Sequence, residues 1–232
     1  VLLKTKITPD HVTYLNIIVT LLGSILLFFG NINLILIGML LLVSTAFFLD
    51  TIDGQLARLK GSSSLVGMHL EAVYHDLTHL MLYGLGFGVY KLTSNESAII
   101  FGILGGLFSY SFFMPSLAKT ILEFRSKMFG NKDTKIYKTK KYKIGDNGNI
   151  NENKAINFIT TIFGLPTAIY EFTLIAILEI ANSHIKIIPQ FSIIYWSLVI
   201  YSIGVTLIQI ASFILYIKQR RIDYYYSLLF GK

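Results

Sequence analysis

Six long apolar stretches, separated mostly by short polar breaks, leave this chain few ways to fold. They run Val12–Phe29, Leu34–Leu49, Leu65–Tyr90, Ser97–Phe124, Ile156–Ile180 and Phe191–Ile217. A helix crossing a bilayer needs about 20 mostly apolar residues. A soluble helix of that length would show a polar face, and these show little of one. Charged residues make up only 14% of the 232, against about 25% in soluble domains. The expected fold is all-α integral membrane, with six transmembrane helices in a single membrane domain over residues 1–232. Residues before Pro9 are expected to form an interfacial helix, with Lys4 and Lys6 toward lipid head groups. The first apolar run is too long for a cleavable signal peptide. No cysteine is present, which excludes disulfides and a cysteine zinc site.

Charge placement orients the bundle. Of 20 Lys and Arg, only Lys91 and Lys186 lie near the connections after the third and fifth stretches. The rest fall at the N-terminus, after the second stretch, from Lys119 to Lys154, and at the C-terminus. Cytoplasmic loops carry the excess of Lys and Arg. Both termini, the loop after the second stretch and the basic loop 127–154 are therefore expected in the cytoplasm. That topology explains the net charge of +7 without nucleic-acid binding. Lysines of loop 127–154 would lie against anionic membrane lipids. Pro115 and Pro166 are expected to kink the fourth and fifth helices. The abundance of Lys, Ile and Asn points to an AT-rich genome and a bacterial inner membrane.

Ionisable residues gather where the second and third stretches meet. Asp50-Thr51-Ile52-Asp53-Gly54-Gln55-Leu56-Ala57-Arg58 continues the second helix, and Gly67, Glu71, His75, Asp76 and His79 follow on the third. Such residues in or near a span are costly and point to function. Asp50, Asp53 and Ala57 share one helix face, and Gly67, Glu71, His75 and His79 step by four along another. A tight turn at 61–64 lets the two stripes face each other. Converging carboxylates repel unless a cation lies between them, and an oxygen-rich set suits Mg²⁺ or Mn²⁺. Small residues at Gly54, Ala57 and Gly67 leave room for close approach, and Arg58 suits a phosphate. Together they point to metal-assisted phosphate chemistry.

These residues resemble the signature of the CDP-alcohol phosphotransferases (CDP-alcohol phosphatidyltransferases). It reads D-x-x-D-G-x-x-A-R, eight residues, then G-x-x-x-D-x-x-x-D. Asp50, Asp53, Gly54, Ala57, Arg58 and Gly67 match at the correct spacing, while Glu71 and His75 stand where the family has its third and fourth Asp. Ile7-Thr8-Pro9-Asp10-His11-Val12-Thr13 also looks like the family's lead into helix one. The resemblance implies transfer of a phospho-alcohol or phosphatidyl group from a CDP-linked donor to a hydroxyl acceptor, with release of CMP. One of the two substrates would be a lipid, and the pathway would build phospholipid, glycolipid or polysaccharide. It implies a homodimer, with Asp50, Gly54, Ala57, Arg58 and Gly67 binding the CDP moiety. Asp50, Asp53, Glu71 and His75 would hold Mg²⁺ or Mn²⁺, and His75, oriented by Asp76, would act as base. Imidazole is a competent base near neutral pH.

Two rival readings use the same residues. His75-Asp76-Leu77-Thr78-His79 resembles H-E-x-x-H, which would make a membrane-embedded zinc protease, although no third ligand follows and Asp50 to Arg58 go unused. An ion-coupled transporter would use Asp50 and Asp53, but such sites lie near the bilayer midplane. Glu171 is expected to face a polar cavity used by the acceptor, and Glu179 to reach the outer surface.

Overall fold

The computed structural model describes residues 3, 5–62, 64–109 and 161–218. Every regular element among them is a helix. In chain order they are α1 Pro9–Leu27, α2 Ile32–Ser44, a π-helical turn Thr45–Leu49, α3 Asp50–Lys60, α4 Leu65–Thr78, α5 Leu80–Thr93, α6 Ser97–Ser109, α7 Leu165–Ile185 and α8 Ser192–Lys218. Two compact units emerge, one of residues 1–110 with 162–206 and one of 111–161 with 207–232. Of the second, only Thr161 and the last turns of α8 are described.

The first unit is an integral membrane bundle whose outer flank is apolar. On α1 the buried positions include Thr13, Asn16, Thr20 and Ser24, while Tyr14, Leu15, Ile18, Leu22 and Ile25 are exposed. An exposed flank this apolar is stable where the surroundings are hydrocarbon. Pro9–Leu27, Ile32–Lys60, Leu165–Ile185 and Ser192–Ile214 are long and apolar enough to span, and Ser97–Ser109 is a shorter apolar helix. Residues 110–124 and 156–160 of the expected fourth and fifth spans, Pro115 and the basic loop 127–154 lie outside the described residues.

Three local features differ from the sequence reading. The second span is not one continuous α-helix. Ser44 and Thr45 donate their hydroxyls to the carbonyls of Leu41 and Leu42, at 2.6 and 2.7 Å. Those carbonyls become poorer backbone acceptors, and the ladder widens into the π turn, where Asp50 N–H reaches Thr45 O. The third span breaks at His79. There the backbone tightens to three-residue bonds, His79 to Asp76 at 3.3 Å and Leu82 to His79 at 3.1 Å, and Thr78 donates back to Tyr74 O at 2.9 Å. Pro166 does not kink a helix, because α7 begins at Leu165 and puts the proline in its first turn, where its missing N–H costs nothing. The described residues 5–8 form bends and extended chain rather than an interfacial helix.

Helix α1 packs against α2, α3, α4 and α5, and α5 packs closely on α6. Leu27, Ile35, Met39, Leu42, Leu82 and Leu85 are fully buried at the centre. Glycines set the α5–α6 approach. A Cβ on Gly102 would lie 2.6 Å from Gly86 Cα and 2.9 Å from Leu82 O, so backbone meets backbone as in small-residue membrane interfaces. Gly102→Leu is therefore expected to cost about 3 kcal/mol, the upper end of overpacking penalties. The check is loss of the monodisperse species on gel filtration in detergent. At the opposite end of α7, Glu179 does not reach for solvent. It is buried and accepts from Phe191 N–H at 2.6 Å and Ile194 N–H at 3.1 Å, capping the start of α8.

Candidate metal and nucleotide site

Helices α1, α3 and α4 build the site. Asp50 opens α3 directly after the π turn, and Asp53 stands one turn on. Gly61, in left-handed conformation at φ 59°, ends α3; a residue with a side chain would be strained there. Ser64 then caps α4 by accepting from Gly67 N–H at 2.8 Å. This short reversal sets α4 against α1, which α3 also packs on.

The turn brings three of the expected residues together. Asp50, Glu71 and His75 each offer a ligand atom within 4.8 Å of the others. Glu71 and His75 are exposed and Asp50 is half-buried. Ligand atoms around one octahedral cation at about 2.1 Å sit roughly 3.0 to 4.2 Å apart. The trio is thus close to the geometry a shared ion requires. Two carboxylates and an imidazole suit Mg²⁺ or, better, Mn²⁺. Asp53 stands outside this trio, though the charges of Asp50 and Glu71 both act on it. Its Oδ2 accepts from Thr13 Oγ1 at 2.8 Å.

The remaining expected residues divide. Arg58 is exposed, and its guanidinium folds back so that a Cβ on Gly54 would lie 3.7 Å from it. Small side and cationic tip are therefore adjacent, as a phosphate site requires. Ala57 is half-buried on the same helix. Space beside Gly67 is already used: a Cβ there would meet Asp10 Oδ1 at 3.0 Å and Ser64 Oγ at 3.2 Å. The glycine leaves room for an α1 carboxylate, where the sequence reading left it for a nucleotide. Asp76 is exposed and is not in the cluster. His79 turns elsewhere, with Nδ1 2.8 Å from Ser109 Oγ of α6, so the grouped ligands are not those of a zinc protease. Glu171 is half-buried on α7, close enough for its charge to act on Tyr201.

Three contributors were given no role in the sequence reading. Thr13 and Asp10 come from α1, in the stretch that resembles the family's lead into helix one but outside the signature proper. Tyr74 is 3% exposed, directly behind His75 with ring centroids 4.8 Å apart, and its hydroxyl is turned toward Thr45, Asn16 and Thr78.

Compared with known proteins, residues 6–112 match the family model described as CDP-alcohol phosphatidyltransferase. No curated protein and no solved structure matches the chain.

Proposed function

Because residues 6–112 match the CDP-alcohol phosphatidyltransferase family model, we propose that the chain moves a phospho-alcohol group from a CDP-linked donor to a hydroxyl acceptor, releasing CMP, in phospholipid, glycolipid or polysaccharide synthesis. The observation that carries this reading is the convergence of Asp50, Glu71 and His75 at the start of a D-x-x-D-G-x-x-A-R helix. Asp50, Asp53 and Glu71 would hold Mg²⁺ or Mn²⁺, with His75 beside Asp50 and Glu71. When bound, the ion would neutralise charge on the donor's diphosphate.

The protein's own groups supply the rest. Arg58 binds a phosphate oxygen, and Gly54 and Ala57 let the nucleotide approach the α3 backbone. His75 takes the proton of the acceptor hydroxyl. That oxygen forms the new bond to the β-phosphorus, the bond from this phosphorus to the bridging oxygen breaks, and CMP leaves with the electron pair. Holding the two substrates in line does most of the work in such transfers.

One imidazole cannot do both jobs assigned to His75. Bound to a cation through one nitrogen, a neutral ring carries its proton on the other and has no lone pair left to accept a second. We assign it the base and leave the ion to the carboxylates. Positive charge in the connections supports an active site at the cytoplasmic face, where CDP-linked donors are made. The family supports a homodimer with one lipid substrate.

The test is mass spectrometry of products formed by the purified chain with panels of CDP donors, hydroxyl acceptors and Mg²⁺ or Mn²⁺. CMP together with a new phosphodiester is expected. Peptide cleavage, or flux with no covalent product, would replace this reading by a protease or a transporter.

A further inference from the structure

Helix α1 forms the third wall of the site, and one of its residues acts on a carboxylate of α3. Thr13 is 4% exposed. Its single hydroxyl proton has two acceptors in reach, Pro9 O at 3.3 Å and Asp53 Oδ2 at 2.8 Å. A buried threonine in a helix ordinarily bonds back to the carbonyl four residues earlier. Here the charged acceptor is nearer, and hydrogen bonds to a carboxylate are shorter and stronger than those to a neutral carbonyl. The proton therefore goes to Asp53, 40 residues away in sequence.

The helix that delivers this bond is fixed at both ends of the approach. Thr8 and His11 cap α1 reciprocally: Thr8 Oγ1 accepts from His11 N–H at 3.3 Å and His11 Nδ1 accepts from Thr8 N–H at 3.1 Å. Lys60, the last residue of α3, donates through Nζ to Thr5 O at 3.0 Å and Ile7 O at 2.7 Å. Thr13 is thus held in register with the helix that bears Asp53. One oxygen of Asp53 is occupied by this bond, and Asp50 and Glu71 repel its charge. An unheld carboxylate repelled by two others would swing away from them.

We propose that Thr13 is a positioning residue: by binding Oδ2 it holds the Asp53 carboxylate in place for a divalent cation shared with Asp50 and Glu71. The inference rests on the metal-dependent reading above. Supporting groups of this kind are worth about 10- to 100-fold in metal affinity.

The experiment measures Mn²⁺ binding to the purified full chain by electron paramagnetic resonance, without substrate. Thr13→Val is expected to weaken binding at least tenfold, and Thr13→Ser, which keeps the donor, to restore it. Both should unfold within a few degrees of wild type. Thr13→Ala, also lacking the donor, should bind like Thr13→Val and stands in if the valine variant misfolds. Wild-type affinity in Thr13→Val or Thr13→Ala overturns the proposal alone, as does equal weakening in Thr13→Ser. No Mn²⁺ binding by the wild type overturns both the proposal and the metal reading beneath it.

Discussion

Asp50→Asn is expected to abolish CMP release, by at least about 10³-fold, while leaving the protein as stable as wild type or more so. The two halves have one cause. An amide has the shape of the carboxylate but no charge, so it serves poorly as a ligand for a hard cation. In the absence of an ion, Asp50 lies with Glu71 in a common cluster, and its charge acts on Asp53. Unit charges about 4 Å apart repel by about 4 kcal/mol at an effective dielectric of 20; the open position of Glu71 reduces this through solvent screening. Removing Asp50's charge therefore relieves the folded state. Thermal midpoints without added metal should not fall, and the stabilisation that Mn²⁺ gives the wild type should disappear. A midpoint several degrees lower, or retained activity, would show that Asp50 pins helices instead of holding a ligand.

How far the sequence displayed this site depends on helical spacing. The grouping of Asp50, Glu71 and His75 was legible because regular spacing on two helices joined by a polar turn leaves few ways to arrange them. Glu71 and His75 are one turn apart on α4, and the turn at Gly61 and Ser64 carries them to Asp50. Membrane location was legible for the same reason, since runs of apolar residues need no tertiary information. The phase of Asp50 was not. A π turn rotates everything beyond it relative to a straight helix, and it arises from a competition between the Ser44 and Thr45 hydroxyls and the backbone that hydropathy does not register. Thr13 and Asp10 were hidden because their roles depend on where α1 crosses α3 and α4. Gly67 shows the same limit: its small size was plain, but only packing reveals that Asp10 uses the space.

His75→Ala separates the two roles open to that imidazole. If His75 is the base, the variant keeps its Mn²⁺ affinity, because the carboxylates hold the ion, and kcat falls by about 10²- to 10⁴-fold. If it is a ligand, Mn²⁺ binding weakens along with turnover, and excess Mn²⁺ restores part of the activity. We expect the first pattern, for a reason visible in the geometry. His75 is exposed, while Asp50 is half-buried and its charge acts on the Asp53 that Thr13 holds. An ion drawn toward the greatest negative charge sits on the carboxylate side, leaving the ring facing the solvent from which an acceptor hydroxyl would arrive. His75→Asp, which restores the fourth acid of the signature, should then recover much of the lost turnover and bind Mn²⁺ more tightly than wild type, since it adds a base and a charge at once. Recovery of metal binding without recovery of rate would overturn the assignment of the base to this position.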